Sequence, residues 1–210
     1  MIDRADKLCI AARYWLLGMA EQDPAYFKVV DALEFCLEYH TGKRNGGGPE
    51  YIHQLEIFHF LRTLHRHIKN PVVVYILAFL HDVVEDKNVS LEQIERKWGE
   101  SIAFKLSLLS KEILGKPNEG YSLDDIFADE DASIVKVADR ANNVSTMIGV
   151  FKKARLVRYV KETADEFIHR IKAARRKFSH QEAVYENAKL EILNQLTLIQ
   201  HILDSYTPEE

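Results

Sequence analysis

A short segment at the end of an apolar run carries four side chains that could do chemistry. His81 and Asp82 follow the apolar residues 72–80, and Glu85 and Asp86 come about one helical turn later. Because unpaired buried charge is costly, ionisable groups in such a place need partners or a function. A continuous helix would stack the second pair over the first, since residues four apart share a face. The spacing therefore predicts two metal ligands one turn from two carboxylates.

Two further residues could complete a metal site. His53 lies on the apolar stripe of a predicted helix, which directs its imidazole toward the core. Asp139 lies in the apolar helical segment 134–141, with Asn143 and Thr146 one and two turns further on the same face. Two imidazoles and two carboxylates form a mixed nitrogen and oxygen site, which suits Mn²⁺, Fe²⁺ or Zn²⁺. The sequence alone leaves the choice among these ions open.

The elements that must position these residues are predicted to be helices. Apolar periodicity dominates, with few alternating stretches and no repeat, so the expected fold class is all-α. One loop with a single helical turn is expected at 115–131. The predicted helices are 8–19, 26–39, 52–68, one from Pro71 through the His-Asp pair, one opened by Ser90, then 102–109, 133–150, 156–178 and 181–206.

Length and composition narrow the protein class. The chain has 210 residues, 47% of them apolar and 29% charged, with a formal net charge of −4, which is typical of a soluble globular domain. We expect one domain over 1–206 with a short tail at 207–210. The charge does not call for a nucleic-acid partner, and no segment approaches the length of a membrane helix. The N-terminus lacks a secretory pattern and the two cysteines do not make a disulfide framework, so a cytoplasmic location is expected.

The order of the ligand residues resembles that of a known superfamily. His53, then His81-Asp82, then Asp139 is similar to the pattern of the HD superfamily of metal-dependent phosphohydrolases. Three flanking blocks make the chain look like a small alarmone hydrolase, a stand-alone version of the hydrolase domain of Rel/SpoT enzymes; they are 40–53, 78–86 and 136–143. The resemblance implies an HD-type helical bundle with the metal site in its core. Generic HD phosphatases do not require the Glu85-Asp86 extension, whereas alarmone hydrolases do.

The resemblance also implies an activity and a role for each residue. Enzymes of this family hydrolyse the 3′-pyrophosphate of ppGpp and pppGpp to GDP or GTP plus pyrophosphate, typically with one Mn²⁺ ion. By position, the implied metal ligands are His53, His81, Asp82 and Asp139. The implied water-handling residues are Glu85 and Asp86, and the implied substrate-binding residues are Arg44, Asn143 and Thr146. Which of the two acids takes the proton is open.

Some positions depart from the family pattern, and they leave the substrate open. Asn45, Glu50 and the pair Ala141-Asn142 differ from the usual residues, and we interpret these changes as lying mainly on the nucleotide side. An adenosine alarmone such as ppApp, or another 2′- or 3′-phosphorylated nucleotide such as NADPH, is therefore the main alternative substrate. A non-catalytic alarmone-binding or antitoxin protein is a further alternative. The oligomeric state is open.

Plainer interpretations exist for several of these residues. Glu85 and Asp86 could be a solvated helix end, and Arg44 could be a loop arginine beside a glycine-rich linker. Asn143 and Thr146 could simply bond to neighbouring backbone. The apolar stripe of the last predicted helix is expected to pack against its own domain rather than to form a dimer seam.

Overall fold

The computed structural model describes residues 3–205 and confirms the all-α prediction. Only one small hairpin interrupts the helices within these residues, formed by β1 (Glu112–Ile113) and β2 (Lys116–Pro117). The helices are α1 (Arg4–Gln22), α2 (Phe27–Tyr39), α3 (Ile52–Thr63), α4 (Pro71–Leu80), α5 (Val83–Asp86), α6 (Leu91–Trp98), α7 (Glu100–Leu109), α8 (Leu123–Ala128), α9 (Glu130–Thr146), α10 (Lys153–Glu162), α11 (Ile168–Lys177) and α12 (Glu182–Ser205). The predicted tail at 207–210 lies outside the described residues, and the single domain stays a prediction.

Helix α9 is the central element of the bundle. Its buried residues extend around most of its circumference, and it packs against α3, α4, α7, α8 and α12. Asp129 caps the N-terminus of α9, because its carboxylate accepts hydrogen bonds from the backbone N–H groups of Asp131 and Ala132. A helix enclosed in this way can carry functional side chains only toward a cavity. Asp139 is one of the few charged residues that it buries.

The helix that was predicted to continue through His81 and Asp82 is interrupted there. Helix α4 ends at Leu80, the two residues form a turn, and α5 begins at Val83. The Nδ1–H of His81 donates to the carbonyl oxygen of Ala78 at 3.0 Å, so this side chain competes for an oxygen that the helix would otherwise use. Asp86 donates its backbone N–H to the Asp82 carbonyl at 2.8 Å, which closes the first turn of α5.

Other predicted boundaries also differ from the structure. The helix expected at 52–68 ends at Thr63, whose hydroxyl donates to the Phe60 carbonyl at 2.7 Å and so competes with the helical ladder. The helix expected at 156–178 contains a π-helical turn at Thr163–Phe167, between α10 and α11. The loop expected at 115–131 holds β2, α8 and the first two residues of α9. The helix expected at 133–150 is α9, displaced toward the N-terminus.

The structure has the capping box formed by Ser90 and Gln93 at the start of α6, where the sequence predicts a helix to begin. The helix ends at Gly99, whose φ is +95°. The stripe of the last helix is also buried against its own bundle, as expected; its members include Ile192, Leu196 and Ile199. Within residues 3–205, no helix combines the length and the apolar character needed to cross a membrane.

Candidate metal centre and cleft

Four predicted ligand side chains converge from three places in the fold. His53 comes from α3, His81 and Asp82 from the turn after α4, and Asp139 from α9. The Nε2 atom of His53 lies 3.3 Å from Nε2 of His81 and 3.1 Å from Oδ1 of Asp139. Nε2 of His81 lies 3.1 Å from Oδ2 of Asp82 and 3.9 Å from Oδ1 of Asp139. The donor atoms of His53, His81 and Asp82 lie within 4.8 Å of one another, and the Asp139 carboxylate adjoins both imidazoles.

The two imidazoles are oriented so that each presents Nε2 to this volume. His53 makes a 2.7 Å hydrogen bond from Nδ1 to the side-chain oxygen of Asn142, whose amide nitrogen in turn donates to Glu56 at 2.8 Å. Because that amide group donates to Glu56, its oxygen faces His53 and Nδ1 carries the proton. The bond from His81 to Ala78 assigns the proton of that ring to Nδ1 in the same way. Hydrogen bonds of this kind fix the tautomer and orientation of metal-binding histidines.

The two carboxylates are also held by hydrogen bonds. The side-chain amide of Gln54 donates to Oδ2 of Asp82 at 3.0 Å. Asp139 accepts the Asn143 amide at Oδ1, at 2.6 Å, and the Lys136 ammonium at Oδ2, at 3.1 Å. Fixed carboxylates next to fixed imidazoles form the mixed donor set that suits Mn²⁺, Fe²⁺ or Zn²⁺. The residues present therefore fit a divalent cation.

The pKa shifts of the site residues also indicate a site that favours positive charge. Burial alone would raise the pKa of Asp82 and Asp139, yet the positive charge of His81 and of Lys136, respectively, holds each well below its usual range. Burial alone would lower the pKa of His81, yet the adjacent carboxylates raise it to about 9. Without a metal cation, His81 is therefore protonated and supplies the positive charge next to the two carboxylates. A bound cation must displace that proton, so binding should release protons and strengthen as the pH rises.

The convergent residues lie in a cleft of about 910 Å³. Seven of the other predicted site residues line it with His53, whereas His81 lies behind; the seven are Arg44, Asp82, Glu85, Asp86, Asp139, Asn143 and Thr146. Several cations line the same walls, among them Lys43, Lys111, Lys136 and Arg155. A cleft with cations around a cluster of metal-ligand types is suited to a polyanionic ligand.

Glu85 and Asp86 differ in their surroundings. The Oε2 atom of Glu85 accepts the backbone N–H of Lys111 at 2.7 Å, which ties α5 to the segment before β1. Asp86 is solvent-exposed, and its carboxylate has no hydrogen-bond partner within residues 3–205. Burial on its protein side, and then the negative charges of Asp82 and Glu85, raise the pKa of Asp86 to about 6. The bond to Lys111 shows that Glu85 is not merely a solvated helix end.

The predicted substrate-binding residues are placed less uniformly. Asn143 supports Asp139, so part of its hydrogen-bonding capacity serves the metal side. The Thr146 hydroxyl donates to the Asn142 carbonyl at 3.0 Å, which is the plainer backbone role. Arg44 lies half-buried in a tight turn in which its backbone N–H donates to Gly48 and its carbonyl accepts from Gly47. The positive φ of both glycines shows that this glycine run is a turn, not an extended linker.

Several residues of the site were not anticipated from the sequence. Lys136 bonds Asp139 from three residues earlier on α9, Gln54 adjoins His53, and Asn142 orients the His53 ring. The i,i+3 spacing of Lys136 and Asp139 was a signal for the first of these. The other two depend on how α3 crosses α9 and on the turn after α4, which no local pattern reveals.

His40 is another unanticipated group of the cleft. Its side chain is 2% exposed, and its Nε2 atom has no hydrogen-bond partner within the described residues. Nδ1 lies 4.0 Å from a carboxylate oxygen of Glu50, which in turn bonds Lys87. Burial, more than any neighbouring charge, lowers the pKa of His40 to about 4. The imidazole is therefore neutral at physiological pH.

This buried neutral histidine predicts a pH-dependent loss of stability. An unfolded histidine titrates near pH 6.5, so as the pH falls from about 6.5 to about 4 the unfolded state takes up a proton that folded His40 does not. Its contribution, up to about 3 kcal/mol, is complete above that window and is lost across it. In denaturant titrations at several pH values, His40→Gln should flatten the decline over this window. The exposed His201→Gln is the control, and equal pH slopes for His40→Gln and wild type would contradict the argument.

Comparisons with known proteins agree with the resemblance to Rel/SpoT enzymes that the sequence motifs indicate. Over 143 residues, 64% of this chain, it is 31% identical to the guanosine-3′,5′-bis(diphosphate) 3′-pyrophosphohydrolase of Aquifex aeolicus. It is 29% identical over 144 residues to the GTP pyrophosphokinase rsh of Brucella ovis, and 28% identical over 159 residues to a probable guanosine-3′,5′-bis(diphosphate) 3′-pyrophosphohydrolase of Synechocystis. The chain is similar to Rel/SpoT enzymes. No protein-family model matches it.

The chain spans about a fifth of the length of these curated relatives, because the alignments cover 18% to 20% of each. Some relatives are named for a kinase and others for a hydrolase, so their names alone do not choose between the two activities. The residues of the cleft are needed for that choice.

Proposed function

We propose that the chain is a metal-dependent hydrolase that removes the 3′-pyrophosphate of ppGpp and pppGpp. The observation that carries the proposal is the convergence of two Nε2 atoms and two fixed carboxylates in a cleft that several lysines and arginines also line, together with Glu85 and Asp86. The relatives named as 3′-pyrophosphohydrolases support the choice of substrate.

In this proposal the ion is held by His53, His81, Asp82 and Asp139. When bound, a divalent cation supplies a Lewis acid that polarises a phosphoryl oxygen and lowers the pKa of water toward neutrality. Asn142 and Ala78 hold the two rings in the tautomers that leave Nε2 free to bind. Mn²⁺ is the ion that the resemblance favours, with Zn²⁺ and Fe²⁺ as the alternatives.

The cleft walls supply the positive charge that a pyrophosphate requires. Lys43 and Arg44 come from the turn after α2, Lys111 from the start of the hairpin segment, and Arg155 from α10. These cations approach the metal cluster from different elements. Phosphoryl transfer depends mainly on positioning and charge stabilisation, so such a wall accounts for catalysis without a Ser or Cys nucleophile.

An aromatic group at the α10 side of the cleft provides a surface for a nucleobase. The guanidinium carbon of Arg155 lies 3.8 Å from the centroid of the Phe151 ring, and the Tyr159 ring centroid lies 5.9 Å from that of Phe151. All three residues line the cleft. Flat aromatic and guanidinium faces stack on any base, so this surface binds a nucleotide without choosing guanine.

One argument for an adenosine substrate was that the departures from the family pattern lie mainly on the nucleotide side, and the contacts of these residues weaken it. Asn142, which we interpreted as a departure on the nucleotide side, bonds His53 and Glu56 and therefore acts on the metal side. Ala141 is buried in α9, and Glu50 is paired with Lys87. Asn45 is then the departure that still lies exposed at the cleft. The argument for ppApp or NADPH as the substrate therefore rests mainly on Asn45.

The deciding experiment is a substrate panel on the metal-analysed protein. Purified chain loaded with Mn²⁺ should release pyrophosphate from ppGpp faster than from ppApp, and should release phosphate from NADPH more slowly still. Chelation should stop the reaction and Mn²⁺ should restore it. The same preparation of Asp86→Asn serves as a control for contaminating pyrophosphatases. Absence of product from ppGpp with the metal demonstrably bound would sink the proposal, and faster turnover of ppApp would change the substrate.

A further inference from the structure

An exposed stripe along α1 lies outside the cleft and is not explained by the proposed function. Its five residues, which we call the α1 stripe, are spaced alternately three and four apart, the seam spacing of two packed helices. They are Lys7, Ile10, Tyr14, Leu17 and Glu21. None of them lines the cleft.

The centre of the α1 stripe is apolar and open to solvent. Ile10 is 43% exposed, Tyr14 76% and Leu17 46%. Scattered exposed apolar residues are ordinary on a protein surface, but three on one helical face form a contiguous patch. The opposite face of α1 is fully used, because Leu16 and Ala12 are buried in the core. Helix α1 thus carries two apolar faces and the bundle covers one.

The ends of the α1 stripe carry opposite charges that the chain does not pair. Lys7 stands at the N-terminal end and Glu21 at the C-terminal end, and neither side chain has an ion-pair or hydrogen-bond partner within residues 3–205. Among the other charged residues of α1, Arg13 binds Glu34 through two hydrogen bonds and Arg4 binds Glu56, whereas Asp6 has no ion-pair or hydrogen-bond partner within residues 3–205. Lys7 and Glu21 are therefore the unpaired charges that lie on the stripe itself.

We propose that the α1 stripe binds the same stripe of a second copy, in antiparallel orientation. Antiparallel pairing centred on Tyr14 brings Lys7 close to Glu21 of the partner subunit, because the two positions are equally far from the centre. It also sets Ile10 against Leu17 of the partner subunit. A parallel pair would instead place like charges together, so the charge pattern selects a two-fold, isologous contact.

The surface beside the α1 stripe is shaped to receive a side chain. A groove of about 540 Å³ adjoins Ile10 and is lined by Asp6, Cys9, Arg13, Leu37 and Tyr51. Gly18, one turn beyond Tyr14, has open space around its Cα, so nothing blocks close approach of a partner helix there. The antiparallel pairing sets Ile10 against Leu17 of the partner subunit, so the groove is placed to receive that side chain.

A second exposed apolar face, on α12, does not have these properties. Leu190, Leu193 and Leu198 are exposed there, but the residues between them include Asn194 and Thr197, and the adjacent Lys189 is already paired with Glu186. This face has no charge pattern that favours a second copy. It therefore serves as the matched control surface.

The test is sedimentation of the full chain over a concentration series from about 1 to 100 µM, a range that detects a micromolar dimer. Wild type should dimerise, and Tyr14→Glu should weaken the dimer at least about tenfold. Leu198→Glu should leave the dimer unchanged. Circular dichroism melts check that each variant folds. A wild-type monomer over the whole series overturns the proposal, and so does a dimer broken by Leu198→Glu but kept by Tyr14→Glu.

A charge exchange tests the orientation. Lys7→Glu and Glu21→Lys should each weaken the dimer severalfold, because each places like charges together. The double variant should recover an affinity within about threefold of wild type, since the pair is restored with its signs reversed. Additive weakening in the double variant would overturn the antiparallel contact.

Discussion

Asp139→Ala should lower the free energy of unfolding by about 3 to 5 kcal/mol even when no metal is present. The reason is Lys136, whose side chain is 13% exposed and whose ammonium lies 3.1 Å from the Asp139 carboxylate. Burial alone would lower the pKa of Lys136, but Asp139 more than offsets this and raises it. Without the carboxylate, the ammonium is left buried with no counter-charge in contact. The loss is measured by denaturant unfolding of the chelated protein.

A double variant separates this structural effect from metal binding. Lys136→Met combined with Asp139→Ala removes both charges together, so it should recover at least half of the lost stability. Metal binding, measured by calorimetry, should stay lost, because the ligand is still missing. The pair between half-buried Arg170 and exposed Glu166 is the control, and Glu166→Ala should cost no more than about 1 kcal/mol because Arg170 keeps Asp124 as a partner. Strictly additive losses in the double variant would show that Lys136 does not depend on Asp139.

The core of the site could be predicted because ligands on apolar stripes must face inward. His53 and Asp139 each interrupt a stretch of core residues, and the structure places them 3.1 Å apart although they are 86 positions apart in the chain. Helix periodicity predicts the inward direction of both side chains, and the resemblance to the HD pattern predicts that they belong to one site. Convergence follows once α3, α4 and α9 pack together, since α3 and α9 bury the faces that carry His53 and Asp139 and the end of α4 brings in His81 and Asp82.

The interruption after α4 could not be predicted from periodicity. The apolar run continues through Val83 and Val84, both of which are buried, so the pattern alone favours one long helix. The break is associated with a side chain, His81, bonding the carbonyl of Ala78. Competition of this kind depends on the rotamer of one residue, which only its packing against α3 and α9 determines.

The residues that orient the candidate metal ligands could not be predicted from the sequence, for a different reason. Asn142 was interpreted as a departure from the family pattern on the nucleotide side, but α9 turns it toward His53. Its actual role depends on the angle at which α3 passes α9. A hydrogen bond between two helices is a property of their crossing, and local spacing carries no information about it.

The two acids of α5 are expected to contribute unequally to turnover, and we propose that Asp86 is the general base. Its carboxylate faces the cleft without a hydrogen-bond partner in the described part of the chain, whereas Glu85 accepts the backbone N–H of Lys111. A base with its pKa near the working pH, here about 6, is well matched to accept a proton from water. Glu85 is better placed to hold the Lys111 segment.

Asp86→Asn should therefore lower kcat by about 10² to 10⁴, with metal content unchanged. Glu85→Gln should have a smaller effect on kcat, since an amide oxygen can still accept the Lys111 N–H. Steady-state kinetics on ppGpp with metal analysis measures both. Asp31→Asn, an exposed carboxylate on α2 outside the cleft, is the control and should match wild type. A larger loss from Glu85→Gln than from Asp86→Asn would reverse the assignment.

The pH profile gives an independent check on the same residue. A general base works only when deprotonated, so kcat/KM of the wild type should fall as the pH drops through the pKa of Asp86. That pKa is about 6 without a cation, and a bound cation lowers it, so the acid limb should lie at or below pH 6. The residual activity of Asp86→Asn should lack this limb, and Glu85→Gln should keep it. An unchanged limb in Asp86→Asn would assign the titration, and with it the proton transfer, to another group.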